Sequence, residues 1–183
     1  MQNAELTTHY SLLTKMDDLE ELFKHIRERD AARKLNRKPP YKKPDSVKEL
    51  ERLYFERKQL KNPTIKKEWL IKTKFRDNSS NGLTTCITEW LELHGYFGAR
   101  VNTTGTYSHK LKKYIYSGSR RGMADITAVV NGKHVSIEIK FGKDRIRPEQ
   151  IKVKEEIEAA GGIFIIVHTF DEFIEQITNI LKQ

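Results

Sequence analysis

The chain of 183 residues carries 34 Lys and Arg against 25 Asp and Glu, so its formal net charge is +9. No apolar run reaches the roughly 18 residues that a membrane-spanning helix needs, and residues 1–10 lack the order of a signal peptide. We therefore expect a cytoplasmic protein with no membrane partner. Cys86 is the only cysteine, which excludes an internal disulfide and a multi-cysteine zinc site.

Most of the positive charge lies in residues 1–77, which carry 20 Lys and Arg against 13 Asp and Glu. Such an excess favours a polyanionic partner through phosphate contacts. Apolar residues at helical spacing predict an amphipathic helix from residue 17 to about residue 35. Prolines and basic residues then predict a linker over residues 36–45.

Two further helical segments precede a predicted domain boundary. Ser46 and Glu49 predict a capping box at the start of the second helix, and residues 65–75 predict a third, short helical stretch. The polar segment 77–82 predicts the boundary. Residues 1–77 would thus be a basic helical extension that binds DNA or a protein partner, and residues 78–183 a separate domain.

Helical and strand patterns alternate after this boundary, which predicts an α/β fold. The clearest signal is Asn131-Gly132 between two alternating segments, a dipeptide typical of a two-residue hairpin turn. We expect Cys86, Trp69 and Trp90 to be packed in the core. The predicted elements are a helix over residues 83–94, strands over residues 96–101, 124–130 and 133–140, a helix from Pro148 to about residue 160, a strand over residues 163–167, and a last helix capped by Thr169 and Glu172.

The predicted hairpin brings two carboxylates together. A two-residue turn places Val130 opposite Lys133, and the same register places Asp125 directly opposite Glu138. Like charges in this position repel each other unless a cation compensates them. We therefore expect Asp125, Glu138 and the backbone carbonyl of Ile139 to bind Mg²⁺, for which Mn²⁺ would substitute.

Lys140 lies two residues after Glu138, on the same face of the strand. From there its ammonium group can reach a water molecule or a substrate phosphate. Phosphodiester hydrolysis needs an activated water and neutralisation of the charge that develops on phosphorus. Asp125, Glu138 and Lys140 thus predict a metal-dependent phosphodiesterase. The alternative is an exposed strand face with ordinary charges.

These residues resemble the signature of PD-(D/E)XK nucleases, and more closely that of the virus-type replication and repair branch (VRR-NUC), related to Holliday junction resolvases. The resemblance covers about residues 83–168, with Ala124 where the family usually has proline. It implies a restriction-endonuclease-like core, a mixed central sheet flanked by helices in the order αβββαβ plus a C-terminal helix. The matching residues are Ser119, Gly122, Asp125, Glu138, Lys140, Pro148 and Gln150.

The resemblance also implies an activity and further site residues. The activity is Mg²⁺-dependent endonuclease cleavage of DNA in replication, recombination, repair or phage genome processing, by a homodimer. Glu89, on the first helix of this domain, would be an additional acid that contacts the metal or water. Gln150 would orient the attacking water or Lys140.

Basic and aromatic residues interleave from residue 110 to residue 121, as in segments that contact nucleic acid. We expect these side chains to position phosphates rather than to read bases. A solvated loop is the alternative for residues 110–113. The predicted DNA contacts are Lys112, Lys113, Tyr116, Arg120, Arg121, Lys143, Arg145 and Arg147.

Two other functions stay open at this stage. The chain could be a non-catalytic nucleic-acid-binding protein on a nuclease fold. It could also be a nuclease that a protein partner recruits through residues 1–77, since Leu19, Leu22, Phe23 and Ile26 form an apolar stripe on the first helix.

Overall fold

The computed structural model describes residues 19–31, 33, 40–102, 105–115 and 118–182. The chain divides into two compact units, Met1–Tyr41 and Lys42–Gln183. In the first unit, residues 19–31 are helical (α1), and the apolar stripe that starts at Leu19 is exposed. The ends of the predicted first helix and residues 36–39 of the predicted linker lie outside the described residues, and residues 40–44 form no regular element.

The second unit begins with α2 (Asp45–Lys61), whose Val47 and Leu50 are fully buried in the main core. The boundary predicted after residue 77 therefore lies inside this unit. The predicted capping box is wrong, because Ser46 is already within the helix. Pro44 precedes α2 in an extended conformation and makes no side-chain cap.

The helix predicted over residues 65–75 is also wrong. Only Lys67–Trp69 forms a helical turn, of the 3-10 type, and the following residues to 76 form no regular element. Phe75 anchors this segment, since its ring packs edge-on against Tyr54 and its backbone N–H donates to Glu51. Trp69 is 72 % exposed, so the prediction of a core position is wrong for it.

The rest of the unit is a mixed α/β structure. A four-stranded sheet has the order β1-β4-β5-β6, in which β6 runs parallel to β5 and the other pairs are antiparallel. Strands β2 and β3 form a separate antiparallel pair. None of the described helices has the length and apolar composition needed to cross a membrane. The elements are α3 (Ser80–Leu93), β1 (Phe97–Arg100), β2 (Thr106–Ser108), β3 (Lys113–Ile115), β4 (Ile126–Val130), β5 (Lys133–Ile139), α4 (Pro148–Ala159), β6 (Ile163–Val167) and α5 (Phe170–Leu181).

The hairpin of β4 and β5 has the predicted register. Val130 pairs with Lys133, and Ile126 pairs with Ile137. Asn131 and Gly132 both have positive φ, 49° and 76°, as a two-residue turn that matches the strand twist requires. Local turn chemistry therefore sets the alignment of the two strands that carry the predicted carboxylates.

Helices cover both faces of the sheet. On one face, α3 packs on β4 and β5, α5 packs on β6, and α2 packs on these two helices. Together they form the main core, which includes Cys86 and Trp90 as predicted. On the other face, Val153 of α4 packs against Ala124 and Phe164. This second layer buries the polar side of β5, including Ser136, Glu138 and Lys140. The predicted site thus lies between β5 and α4.

Candidate active site

Asp125 and Glu138 occupy the end of the β4–β5 hairpin that is opposite to its turn. The pairing of Ile126 with Ile137, extended by one residue, sets Asp125 across from Glu138. Asp125 Oδ2 accepts a hydrogen bond of 3.0 Å from the backbone N–H of Ile139, and its carbonyl accepts one of 2.7 Å from Val101. Asp125 is thus fixed to the neighbouring strand on each side.

Glu138 is only 3 % exposed, and its two carboxylate oxygens have different surroundings. Oε1 accepts hydrogen bonds from Lys140 Nζ, at 2.9 Å, and from Gln150 Nε2. Oε2 is buried and has no hydrogen-bond partner within the described residues. Burial of a carboxylate oxygen without a donor is energetically unfavourable. The structure therefore holds one acceptor of Glu138 ready for a further ligand.

Burial raises the pKa of Glu138 above its ordinary value, and the hydrogen bond from Lys140 opposes this effect. The negative charge of Asp125 raises the pKa further, whereas the charge of Lys140 and the hydrogen bond from Gln150 lower it. The net shift is upward. The ionised form of Glu138 is therefore less favourable here than in water, and a further cation would stabilise it.

Lys140 is also 3 % exposed and belongs to the same network. Its Nζ donates to Gln150 Oε1 at 2.9 Å and lies 3.6 Å from Asp144 Oδ2. The alternative of an exposed strand face with ordinary charges does not describe these residues. A buried lysine and a buried glutamate in direct contact form an ion pair whose partners are fixed in place.

Gln150 joins this pair to the start of α4. Its Oε1 accepts from Lys140 and also, at 3.0 Å, from the backbone N–H of Arg147, the residue before the helix. Its Nε2 donates to Glu138. The amide thus contacts both charged groups while its position is set by the first turn of α4. This geometry is compatible with the orienting role that the resemblance implied.

The loop before β4 packs against the same turn. Gly122 has a φ of +84°, and a Cβ atom built on it would lie 2.3 Å from the carbonyl oxygen of Glu149. Only glycine combines this conformation with so close an approach. Between loop and helix lies a cleft of about 380 Å³, and its lining residues are Arg121, Gly122, Met123, Arg147, Glu149 and Gln150.

Glu89 is not brought to this site. It lies on α3, which packs on the face of the sheet formed by Ile137 and its apolar neighbours, whereas Glu138 points to the opposite face. Burial and the charge of Glu92 raise the pKa of Glu89, and Arg57 and Lys61 of α2 oppose this. Within the described residues no three His, Cys, Asp or Glu side chains cluster to hold a metal ion.

The predicted DNA-contact residues fall into three groups. Arg121 and Arg147 line the cleft, whereas Arg120 forms an ion pair of 2.6 Å with Glu156 of α4. Lys143 and Arg145 are exposed in the loop between β5 and α4. Lys112 and Lys113 are exposed on the β2–β3 hairpin. Tyr116 lies outside the described residues.

The sequence reasoning missed two features of this region. One is the β2–β3 hairpin, although the short alternating segments on either side of Leu111 were a signal for it. The other is Asp144, whose position four residues after Lys140 was the only signal. Compared with known proteins, the chain matches no family model and no curated protein.

Proposed function

We propose that this protein is a nuclease with a restriction-endonuclease-like fold that uses a divalent metal ion to hydrolyse DNA phosphodiester bonds. The observation that carries the proposal is the pairing of Asp125 with a buried Glu138 that contacts Lys140. A protein that only binds DNA gains nothing from two opposed carboxylates, which repel both each other and phosphate. A metal-dependent phosphodiesterase can use such a pair to bind its metal ion.

The side chains present fit a hard divalent cation. Asp125 and Glu138 offer carboxylate oxygens, and the Ile139 carbonyl would complete the set of protein ligands. Mg²⁺ binds through one or two carboxylates and keeps several waters, and Mn²⁺ would substitute. The orphaned Oε2 of Glu138 is the observation that supports this fit. When bound, the cation would neutralise phosphate charge and lower the pKa of a bound water.

Lys140 would supply the protein's own cation to the reaction. Its ammonium group is held by Glu138 and Gln150, so it needs little reorganisation when charge develops on a phosphate oxygen. Gln150 would keep that group in position. Arg121 and Arg147, which line the adjoining cleft, would hold neighbouring phosphates of the same strand.

The test is cleavage by the purified full-length chain. Labelled single-stranded, duplex and branched DNA, and matched RNA, would be incubated with Mg²⁺, with Mn²⁺ or with EDTA. We expect cleavage of DNA with either metal and none with EDTA. Glu138→Gln should abolish cleavage, whereas Glu155→Gln, at an exposed position of α4, should not. Binding of DNA without cleavage of any substrate would refute the proposal and favour the non-catalytic alternative.

A further inference from the structure

The β2–β3 hairpin is a two-stranded ribbon outside the main sheet. Its described residues run from 105 to 115, and β2 and β3 pair with each other rather than with β1, β4, β5 or β6. Large apolar and aromatic side chains on it are exposed, among them Tyr107 (48 %), Leu111 (55 %) and Tyr114 (54 %). Its surface therefore does not serve to complete the core.

The base of this hairpin adjoins the candidate active site. Ser119 Oγ donates a hydrogen bond of 2.8 Å to the carbonyl of Asn102 and so joins the segment after the hairpin to the segment before it. The preceding residue, Val101, is hydrogen-bonded to Asp125. Three residues after Ser119, Gly122 packs on the first turn of α4. A strand of substrate that contacts the hairpin would therefore pass close to Asp125.

The positive charge of the hairpin indicates a polyanionic ligand. From residue 93 to residue 124 the sequence contains six Lys or Arg and no Asp or Glu. Three of these cations, Lys110, Lys112 and Lys113, are exposed at the tip of the hairpin. A surface that combines exposed cations with no acidic residue is complementary to a polyanion.

Two tyrosines decide which form of nucleic acid fits. Tyr107 pairs directly with Tyr114, so both rings lie on the same face of the ribbon. The Tyr114 ring packs over Gly105, where an added Cβ would lie 2.6 Å from Cε1. The Tyr107 ring meets His109 edge-on, with ring centroids 5.3 Å apart. Both side chains are about half exposed.

Exposed aromatic rings beside cations are suited to unpaired bases. Stacking requires the flat face of a base, which a duplex covers with the next base pair. Reading a duplex through its grooves instead requires side chains that hydrogen-bond to base edges. Three of the six residues of β2 and β3, Thr106, Ser108 and Lys113, can make such hydrogen bonds, whereas the exposed rings of Tyr107 and Tyr114 favour stacking.

We propose that Tyr107 and Tyr114 form a binding site for unpaired nucleotides of a DNA strand, with Lys110, Lys112 and Lys113 holding its phosphates. The inference that this site guides a DNA strand to the catalytic residues rests on the proposed function. The inference that it binds unpaired nucleotides rests only on the hairpin itself. The substrate would then present an unpaired segment next to the bond that is cleaved.

The experiment measures binding in EDTA, so that no cleavage is needed. The full-length chain would be titrated against a fluorescent oligothymidine and against an abasic strand of equal length, which keeps the phosphates and removes the bases. Replacing both tyrosines by alanine should weaken oligothymidine binding by about 30-fold or more and leave abasic binding unchanged. The matched control, Tyr107→Phe with Tyr114→Phe, keeps the rings and should bind as wild type.

A second, milder variant keeps the test valid if the double alanine variant does not fold. Tyr107→Ala alone keeps the Tyr114 ring over Gly105 and should also weaken oligothymidine binding selectively. All variants should melt at the wild-type temperature, because the hairpin lies outside the core. Equal loss on the abasic strand, equal loss on a blunt duplex, or unchanged binding of oligothymidine would each overturn the inference. A wild-type protein that stacks oligothymidine and never cleaves DNA would refute the proposed nuclease and leave this site standing.

Discussion

Lys140→Met would separate the roles of charge and volume at the centre of the site. Methionine replaces the ammonium group with an apolar end of similar length, so packing between β5 and α4 is largely kept. Glu138 Oε1 then keeps only the hydrogen bond from Gln150, since its other donor is Lys140 Nζ. The variant therefore leaves a buried carboxylate without its cation.

The size of the effect should depend on pH. Breaking a buried ion pair by removing one partner destabilises a protein by about 3–5 kcal/mol. Lys140 lowers the pKa of Glu138, so its removal raises a pKa that is already above the ordinary value. When the pKa of Glu138 is higher in the folded state than in the unfolded state, where it is near 4.3, protonated Glu138 favours the folded state. This contribution to stability is present below the unfolded-state pKa and is lost as pH rises through the folded-state pKa. The variant should therefore match wild type near pH 4 and melt earlier as pH rises.

Thermal unfolding in EDTA from pH 4 to pH 8 would test this, with Lys140→Met, Glu138→Gln and the double variant compared with wild type. The double variant removes both charges and should recover most of the loss above pH 6. Single-turnover cleavage at saturating Mg²⁺ should fall on the order of 10² or more in Lys140→Met. A melting difference that does not change with pH, or wild-type cleavage, would refute the reasoning.

Three further predictions concern the carboxylates, the loop and the N-terminal unit. Asp125→Asn and Glu138→Gln should each abolish cleavage while DNA binding in EDTA stays near wild type, and retained turnover in either variant would remove that residue from the site. Gly122→Ala should destabilise the fold by about 1–3 kcal/mol and slow cleavage, because its Cβ displaces the turn that carries Gln150; an unchanged melting temperature would contradict the packing described. Deletion of residues 1–41, which carry eight Lys and Arg against seven Asp and Glu, should leave folding and the salt dependence of DNA binding nearly unchanged, and a much flatter salt dependence would show that this unit contacts phosphate.

The deletion of residues 1–41 is chosen because the structure places residues 42–77 in the second unit, whereas the sequence predicted a separate extension over residues 1–77. Residues 42–77 carry twelve Lys and Arg against six Asp and Glu, so most of the N-terminal excess lies in the second unit. Deleting residues 1–77 would remove Val47, Leu50 and Phe75 from the main core. Burial of each such side chain contributes about 1.5–3 kcal/mol, and a domain has only about 5–15 kcal/mol in total. The longer deletion should therefore fail to fold.

Features fixed by neighbouring residues could be predicted from the sequence. Asn131-Gly132 determines the hairpin turn and therefore the register of the two strands. The two-residue periodicity of the strands then determines which side chains lie on the same face of the sheet as Glu138. Thr169 caps α5 as predicted by accepting a hydrogen bond from the Glu172 N–H. Each of these signals acts over a few residues, so one sequence is sufficient to read it.

Features that depend on contacts between distant parts of the chain could not be predicted from the sequence. Ser46 has the spacing of a helix cap, but Asp45 already belongs to the helix. Trp69 was predicted to be in the core, but the chain beyond it is anchored by Phe75 and the indole is exposed to solvent. Glu89 flanks an apolar face as expected, but that face packs on the side of the sheet away from Glu138. For Trp69 and Glu89 the pattern was present, but the packing of other segments decided where the side chain lies.

The burial of the site is itself an argument for chemistry. Ser136, Glu138 and Lys140 occupy positions between β5 and α4 where apolar residues of similar size would leave no unsatisfied oxygen. Replacing a buried ion pair by apolar residues is often neutral or stabilising. A fold that keeps the pair, and that also uses the first turn of α4 to hold Gln150 against it, accepts a loss of stability at this point. Strained or costly polar groups concentrate where a protein needs perturbed charges for function. Stability would therefore be expected to rise in a Glu138→Leu, Lys140→Met variant, together with complete loss of cleavage, and a less stable variant would show that the network is structural.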